Sequence, residues 1–292
     1  MSGALSIKEE NQKMLRALSL FLNLRPDFID GTMVRELSQA CRVSEEEAYA
    51  VLLAGVCGLD MGEDPCDRRR YEGWLRPAVR RLDPALCRED PYVRQVPFPQ
   101  IRMGGWELTY RRYKPYEAFA CDDFRYTKDG RVLAPWGFFP EEVVYPAVLE
   151  DGREWMTVSP IEIHTMAPHV AAARGRVLTY GLGLGYFAFM AAQKPEVASV
   201  TVVERDPRAI RLFREHLLPA FPHGEKITVV EGDAFAYAEN EMPGGRYDVI
   251  FADTWHDPSD GVDMYRRFKA TEPLSPASEF RYWIEDTLRY YL

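Results

Sequence analysis

Hydrophobic positions along this chain change their spacing from segment to segment, and each spacing predicts a different kind of element. Met14, Leu15, Leu18, Phe21 and Leu22 recur at intervals of three and four behind Ser6-Ile7-Lys8-Glu9, which predicts a capped helix ending at Arg25-Pro26. Thr32 to Cys41 and Ser44 to about Val56 predict two further short helices, the second opened by Ser44 with Glu47. Their spacing is that of a helix-turn-helix. A recognition helix presents its first turn to DNA, however, and here that turn is Glu45-Glu46-Glu47, which phosphates repel. A helical bundle for packing, or for forming a homodimer, is the expected role of residues 1–94.

Prolines and aromatics crowd the chain from 95 to 156. Trp106 to Tyr113 and Glu117 to Phe124 read as strands, Thr127-Lys128-Asp129-Gly130 as a turn, and Arg131 to Leu133 as a segment pairing back. Trp136, Phe138, Phe139, Tyr145 and Trp155 would suit the wall of a substrate pocket, or a plain core.

Beyond residue 157 the pattern switches to short apolar runs separated by amphipathic helices. Ser159-Pro160-Ile161-Glu162 opens a helix, and Gly175 to Phe187 (GRVLTYGLGLGYF) then carries a strand into a glycine-rich turn. Gly181, Gly183 and Gly185 let the backbone take positive φ or admit a ligand against bare main chain. Val200 to Glu204 is a second strand without alternation, as expected when helices cover both faces of a parallel sheet, and Glu204 ends it about twenty residues past the glycines. Asp206-Pro207 starts the next helix; Ile227 to Val230 and Asp248 to Ala252 are the third and fourth strands. They run into Glu231-Gly232-Asp233-Ala234 and Asp253-Thr254-Trp255-His256-Asp257-Pro258, so four strand ends each carry a glycine turn or an acid. That arrangement predicts a ligand site at the carboxyl edge of a doubly wound sheet.

In order and spacing these motifs resemble the class I S-adenosylmethionine-dependent methyltransferase superfamily. The resemblance implies an α/β fold with a Rossmann-like doubly wound sheet, truncated at its C-terminal edge and preceded by an N-terminal helical domain. Residues 1–94 would be the helical bundle, 95–156 a strand-rich connecting or lid segment, and 157–292 the cofactor-binding domain. It further implies S-adenosylmethionine as cofactor, held by Tyr180, Gly181, Gly183, Gly185, Glu204, Arg205, Asp233, Ala234 and Asp253, with Asp253 and His256 as the groups that orient or deprotonate the acceptor. A dinucleotide-binding unit would need a glycine where Tyr186 stands.

Within the superfamily the fourth-strand stretch DVIFADTWHDPSDG is similar to that of spermidine-synthase-like proteins, but Leu184 stands where their turn has an aspartate facing the amino group of decarboxylated S-adenosylmethionine. Asp-x-Trp also resembles the LDHWK stretch of catechol O-methyltransferases. No second Asp-Asn pair follows, so no metal site is expected. The implied activity is methyl transfer to a small-molecule acceptor; an aminopropyltransferase-like enzyme and a non-catalytic nucleotide-binding or interaction protein are the alternatives. A full sheet of this type adds a fifth strand and a hairpin. Phe280, Trp283, Ile284 and Leu288 instead share one helical face, predicting a closing helix.

Charge and composition narrow the partners. A formal net charge of −9 argues against a general nucleic-acid binder. Arg68, Arg69, Arg70, Arg76, Arg80 and Arg81 form a basic cluster that could grip RNA or an anionic substrate, or be a solvated face beside Asp64, Asp67 and Asp83. No apolar run approaches the roughly eighteen residues of a membrane span, and MSGALSIKEENQK lacks a signal-peptide core, so a cytoplasmic protein without membrane contact is expected. Five cysteines without a CxxC pair predict idle thiols.

Overall fold

The computed structural model describes residues 5–292; Met1–Ala4, which begin the stretch read for a signal-peptide core, lie outside the described residues. The chain separates into two compact units. The first takes the chain up to Leu86 together with Arg112–Val144, and the second takes Cys87–Arg111 with Tyr145–Leu292.

The first unit is built on α1 (Ile7–Leu24), α2 (Gly31–Cys41) and α3 (Glu45–Val56). Ser6 and Glu9 close a reciprocal capping box on α1, and the Asp30 carboxylate accepts the Thr32 and Met33 N–H groups at the start of α2. Strands complete this unit. Val79–Arg81 pairs in parallel with Trp136–Phe138, which pairs antiparallel with Phe119–Ala120. Trp136 and Phe138 are therefore core residues, and Phe138 stacks on Tyr49 with ring centroids 4.3 Å apart.

Buried Asn11 ties α1 to the rest of the unit. Its Oδ1 accepts from Trp74 Nε1 at 2.8 Å and from Val132 N at 3.0 Å, while its Nδ2 donates to the Gly130 carbonyl at 3.0 Å. Asn11→Ala leaves two buried donors without an acceptor, so we expect about 2–4 kcal/mol of destabilisation. Chemical denaturation of the variant, read by Trp fluorescence, checks this.

The arginine cluster is largely occupied within the same unit. Arg70 pairs with Glu10 and Asp67, Arg76 with Glu47, and Arg81 with Glu45, at 2.5–2.8 Å. Arg68 donates to the Met61 carbonyl.

In the second unit a five-stranded parallel sheet dominates: β1 (Gly175–Tyr180), β2 (Val197–Glu204), β3 (Ile227–Glu231), β4 (Val249–Ala252) and β5 (Glu279–Tyr282), in the order β3-β2-β1-β4-β5. Helix α4 (Pro160–Ala172) precedes the sheet. Helices α5 (Tyr186–Ala192), α6 (Pro207–Leu212), α7 (Ala234–Asn240), α8 (Pro258–Thr271) and α9 (Glu285–Tyr290) follow β1 to β5 in turn. Val177, Leu178, Val200, Val202, Val249, Ile250 and Phe251 are all but fully buried, which accounts for strands without a polar face.

β5 corrects one expectation. Residues 279–282 form a strand that pairs in parallel with β4, Ile250 opposite Phe280 and Ala252 opposite Tyr282, and only 285–290 are helical. Phe280, Trp283 and Leu288 do fit a helical spacing. The edge of β4 offers hydrogen bonds that the helix reading omitted, such as Glu279 N–H to the Asp248 carbonyl at 2.9 Å, and Ile284 at φ +44° separates strand from helix. β5 is the outermost strand on that side. No helix among the described residues is long and apolar enough to cross a membrane.

Candidate active site

β1 lies at the middle of the sheet, with β2 and β3 to one side and β4 and β5 to the other. At such a reversal the loops after the two central strands diverge and leave a crevice at their carboxyl ends. Gly181 follows β1 and Asp253 follows β4, so the two principal sequence motifs meet there.

The three glycines do different things. Gly181 has φ +94°, and a Cβ on it would stand 1.9 Å from the Asp253 carbonyl oxygen; the Asp253 N–H in turn donates to the Tyr180 carbonyl at 2.9 Å. Gly183, at φ +54°, lines the cleft and has nothing within 4 Å of its Cβ position. Gly185, at φ +77°, backs onto the Phe213 ring, which would lie 2.4 Å from a Cβ added there, and does not line the cleft. Its role is packing.

Glu204 ends β2 with both carboxylate oxygens anchored. Oε2 accepts from Leu182 N at 3.2 Å and Oε1 from Asp206 N at 2.8 Å. Each oxygen keeps a lone pair, so the carboxylate is oriented yet able to accept two hydroxyl donors from a ligand. Arg205 is exposed on the cleft margin. After β3, Asp233 caps α7 through Oδ1, which accepts from Phe235 N at 3.0 Å and Ala236 N at 2.9 Å. Asp233 and Ala234 line the cleft, as does Phe235, whose ring stacks on Phe268 at 4.5 Å beneath the Arg267 guanidinium at 3.6 Å. That ring is a flat, apolar, rigid wall.

Besides Gly185, one more expected cofactor contact, Tyr180, does not line the cleft. The Tyr180 side chain is buried, stacked on Phe268 at 4.9 Å, with a hydroxyl that has no hydrogen-bond partner among the described residues; only its carbonyl approaches the site. The strand's alternation sends residue 180 into the core. Leu184 is buried too and does not line the cleft, its carbonyl accepting from Tyr92 Oη at 2.8 Å. Of the five aromatics considered for a pocket wall, Trp155 alone lines this cleft.

The fourth strand end shows what sequence reading missed. Asp253 shares the cleft with Glu162, from the first turn of α4, and with Glu154, on the strand Arg153–Thr157. Burial pushes the Asp253 carboxyl up to about 7. Burial, and then the neighbouring Asp253 and Glu154 charges, push Glu162 well above the usual carboxylate range. Burial raises Glu154 as well, although Arg111 at 3.6 Å opposes this. Neighbouring acids such as Asp253 and Glu162 titrate as a pair.

In the sequence Glu162 sits at the third helical position behind Ser159 and reads as half of a capping box. In the structure Ser159 makes no side-chain cap, and Glu162 faces the cleft. His256, exposed at the rim, meets Asp260 Oδ2 through Nδ1 at 3.2 Å and packs edge-on to Trp155 at 5.2 Å. When Asp260 accepts the Nδ1 proton, the Nε2 lone pair is free to act as a base. Among the described residues no group of His, Cys, Asp or Glu is placed to hold a metal ion.

The second unit is thus a parallel α/β unit with a cleft of about 390 Å³ at the switch between its two central strands. No protein-family model matches the chain, and no curated protein matches it. Solved structures that match part of it include methyltransferases. The S-adenosylhomocysteine-bound methyltransferase PaMTH1 of Podospora anserina is 21% identical over 41% of this chain and 49% of its own, with a TM-score of 0.33. The CcbJ methyltransferase of Streptomyces caelestis is 27% identical over 40% of this chain and 49% of its own, with a TM-score of 0.30. Cofactor-bound Rv0187 from MTB is 22% identical over 37% and 48%, with a TM-score of 0.29. The chain thus spans about half the length of these proteins. Likeness at that level leaves the cleft itself to carry the chemistry.

Proposed function

We propose that the chain is an S-adenosylmethionine-dependent methyltransferase acting on a small-molecule acceptor. The observation that carries this reading is the Glu204 carboxylate, held by two backbone N–H groups with a lone pair left on each oxygen, beside the open backbone of Gly183 and the Phe235 wall. A ribose diol satisfies that carboxylate, and an adenine ring suits the space along Phe235 between Asp233 and Ala234. Gly183 leaves room for the amino-acid portion of the cofactor.

When bound, S-adenosylmethionine supplies a methyl group already activated on a sulfonium, so the protein's task is to position a nucleophile and exclude water. Asp253 and Glu162 hold and accept a proton at the strand end where the acceptor would sit, and the Nε2 atom of His256 offers a second acceptor at the rim. Trp155, Trp255 and Trp283 supply the apolar walls.

Calorimetric titration with S-adenosylmethionine, S-adenosylhomocysteine, decarboxylated S-adenosylmethionine and NAD tests the reading. We expect the first two to bind at about micromolar Kd, and Glu204→Ala to weaken both by about 10²–10⁴-fold through loss of two charge-assisted hydrogen bonds. Tighter binding of the decarboxylated form would favour aminopropyl transfer instead. Absence of binding by any of them would leave a non-catalytic protein.

A further inference from the structure

Arg208, in the first turn of α6, does not line the cleft, yet its guanidinium joins two parts that do. Its Nε and Nη2 atoms take both oxygens of Asp206, at 3.0 and 2.6 Å, and its Nη1 takes Glu150 Oε1 at 2.6 Å. The guanidinium carbon also lies 4.9 Å from the centroid of the Trp106 ring, and Trp106 Nε1 donates at 3.1 Å to the same Glu150 oxygen.

Each of these partners leads to the cleft. Asp206 lines it, and the Asp206 N–H is one of the two that orient Glu204. Glu150 pairs with Arg153 across a hairpin, and the strand that follows puts Glu154, Trp155, Met156 and Thr157 into the lining. Trp106 is buried, its ring 5.9 Å from that of Trp155. One cation thus spans the turn behind Glu204 and the strand that walls the same cleft.

Neither part depends on that cation for its own structure. Asp206 Oδ1 already caps α6 by accepting the Arg208 N–H at 2.8 Å, and the hairpin is closed by its own ladder, from Ala147 opposite Thr157 to Glu150 opposite Arg153. With the guanidinium about half exposed, its ion pairs add little stability. What a planar group gripping two carboxylates adds is geometry, because its donors diverge at fixed angles and hold one element at a set distance from the other.

Resting on the proposed transferase reading, we propose that Arg208 is a positioning residue for the cofactor, holding the strand Arg153–Thr157 in place relative to Glu204 so that the cleft is shaped before the nucleoside enters. Without the guanidinium, Glu204 keeps its backbone anchors but the wall is free to shift, and binding must then order it.

The test uses the full chain carrying R208Q, R208K, E150Q or R208Q with E150Q, each followed by thermal denaturation and by calorimetric titration with S-adenosylhomocysteine. We expect R208Q and E150Q each to weaken S-adenosylhomocysteine about 3–30-fold while lowering Tm by less than about 4 °C. The double variant should lie within about twofold of the weaker single one, because both substitutions undo one join. R208K keeps the charge but cannot grip two carboxylates and lie on an indole at once, so it should stay at least about threefold weaker than wild type.

Wild-type affinity in R208Q overturns the inference, as does full recovery in R208K, which would make charge alone the cause. Multiplying losses in the double variant overturn it too, since the two side chains would then act apart. A larger fall of Tm in R208Q would make Arg208 a structural residue instead. If the wild type binds no S-adenosylhomocysteine, the transferase reading fails and this inference with it; if it binds and R208Q equals it, this inference alone fails.

Discussion

Gly181→Ala should cost the protein about 3–5 kcal/mol and, on the proposed reading, its cofactor binding together. The residue sits at φ +94°, where a side chain is strained by itself, and the added methyl would stand 1.9 Å from the Asp253 carbonyl oxygen. Relief requires the carboxyl ends of β1 and β4 to part. That breaks the hydrogen bond from Asp253 N–H to the Tyr180 carbonyl and opens the crevice floor. Gly183→Ala is the informative contrast. It also has positive φ, but its Cβ meets nothing, so the stability loss should stay near 1–2 kcal/mol while the methyl stands in the cleft. Thermal denaturation with S-adenosylhomocysteine titration on both variants checks this. Equal stability losses would mean that the close approach of the two strands does not constrain residue 181.

Asp253→Asn should make the protein more stable above neutral pH and, on the proposed reading, much less active. In the folded chain the Asp253 carboxyl titrates at about 7, against about 3.9 for an unfolded aspartate. Between those values the native state keeps a proton that the unfolded chain has released. Wild-type stability therefore falls as pH rises from about 4 to about 7, and the deficit remains above that. Asparagine removes the ionisation. The variant should gain about 1–3 kcal/mol over wild type at pH 8 and nothing at pH 4, the range being set by partial solvent access and by sharing of the proton with Glu162.

Turnover is expected to respond in the opposite sense. Loss of a proton acceptor costs about 10²–10⁴-fold, and the wild type should lose activity about tenfold per pH unit below 7 as the acid fills, a dependence absent from the variant. Urea denaturation at the two pH values, with the pH dependence of turnover, separates these effects. An asparagine variant that is no more stable at pH 8 would show that the carboxylate bears no desolvation cost.

Local patterns suffice to place the strands. VLTY, VTVVE, ITVV and VIFA are short, apolar and β-branched, and each ends at glycine or an acid, so both the sheet and its functional edge can be read from the residues themselves. Capping pairs such as Ser6 with Glu9 do the same for the first helix, because the chemistry of a helix start lies within four residues. Residues 279–282 are legible only in part. Their hydrophobic spacing suits a helix, and the neighbour that makes them a strand is β4, about thirty residues away.

What the sequence determined by itself was therefore local: the glycine turn, the acid ending each strand, the alternation of strand and helix, and from these the cleft at the sheet's carboxyl edge. Its reach stopped where a side chain's meaning depends on direction or on a distant partner. Tyr180 and Leu184 flank the glycine turn yet turn into the core, and Gly185 serves the Phe213 ring. Glu162, with the sequence signature of a helix cap, becomes the partner of Asp253, some ninety residues further on. Only the tertiary structure decided that pairing. Carboxylate repulsion and desolvation depend on separation in space and on what surrounds the charge, and neither is written in the order of the residues.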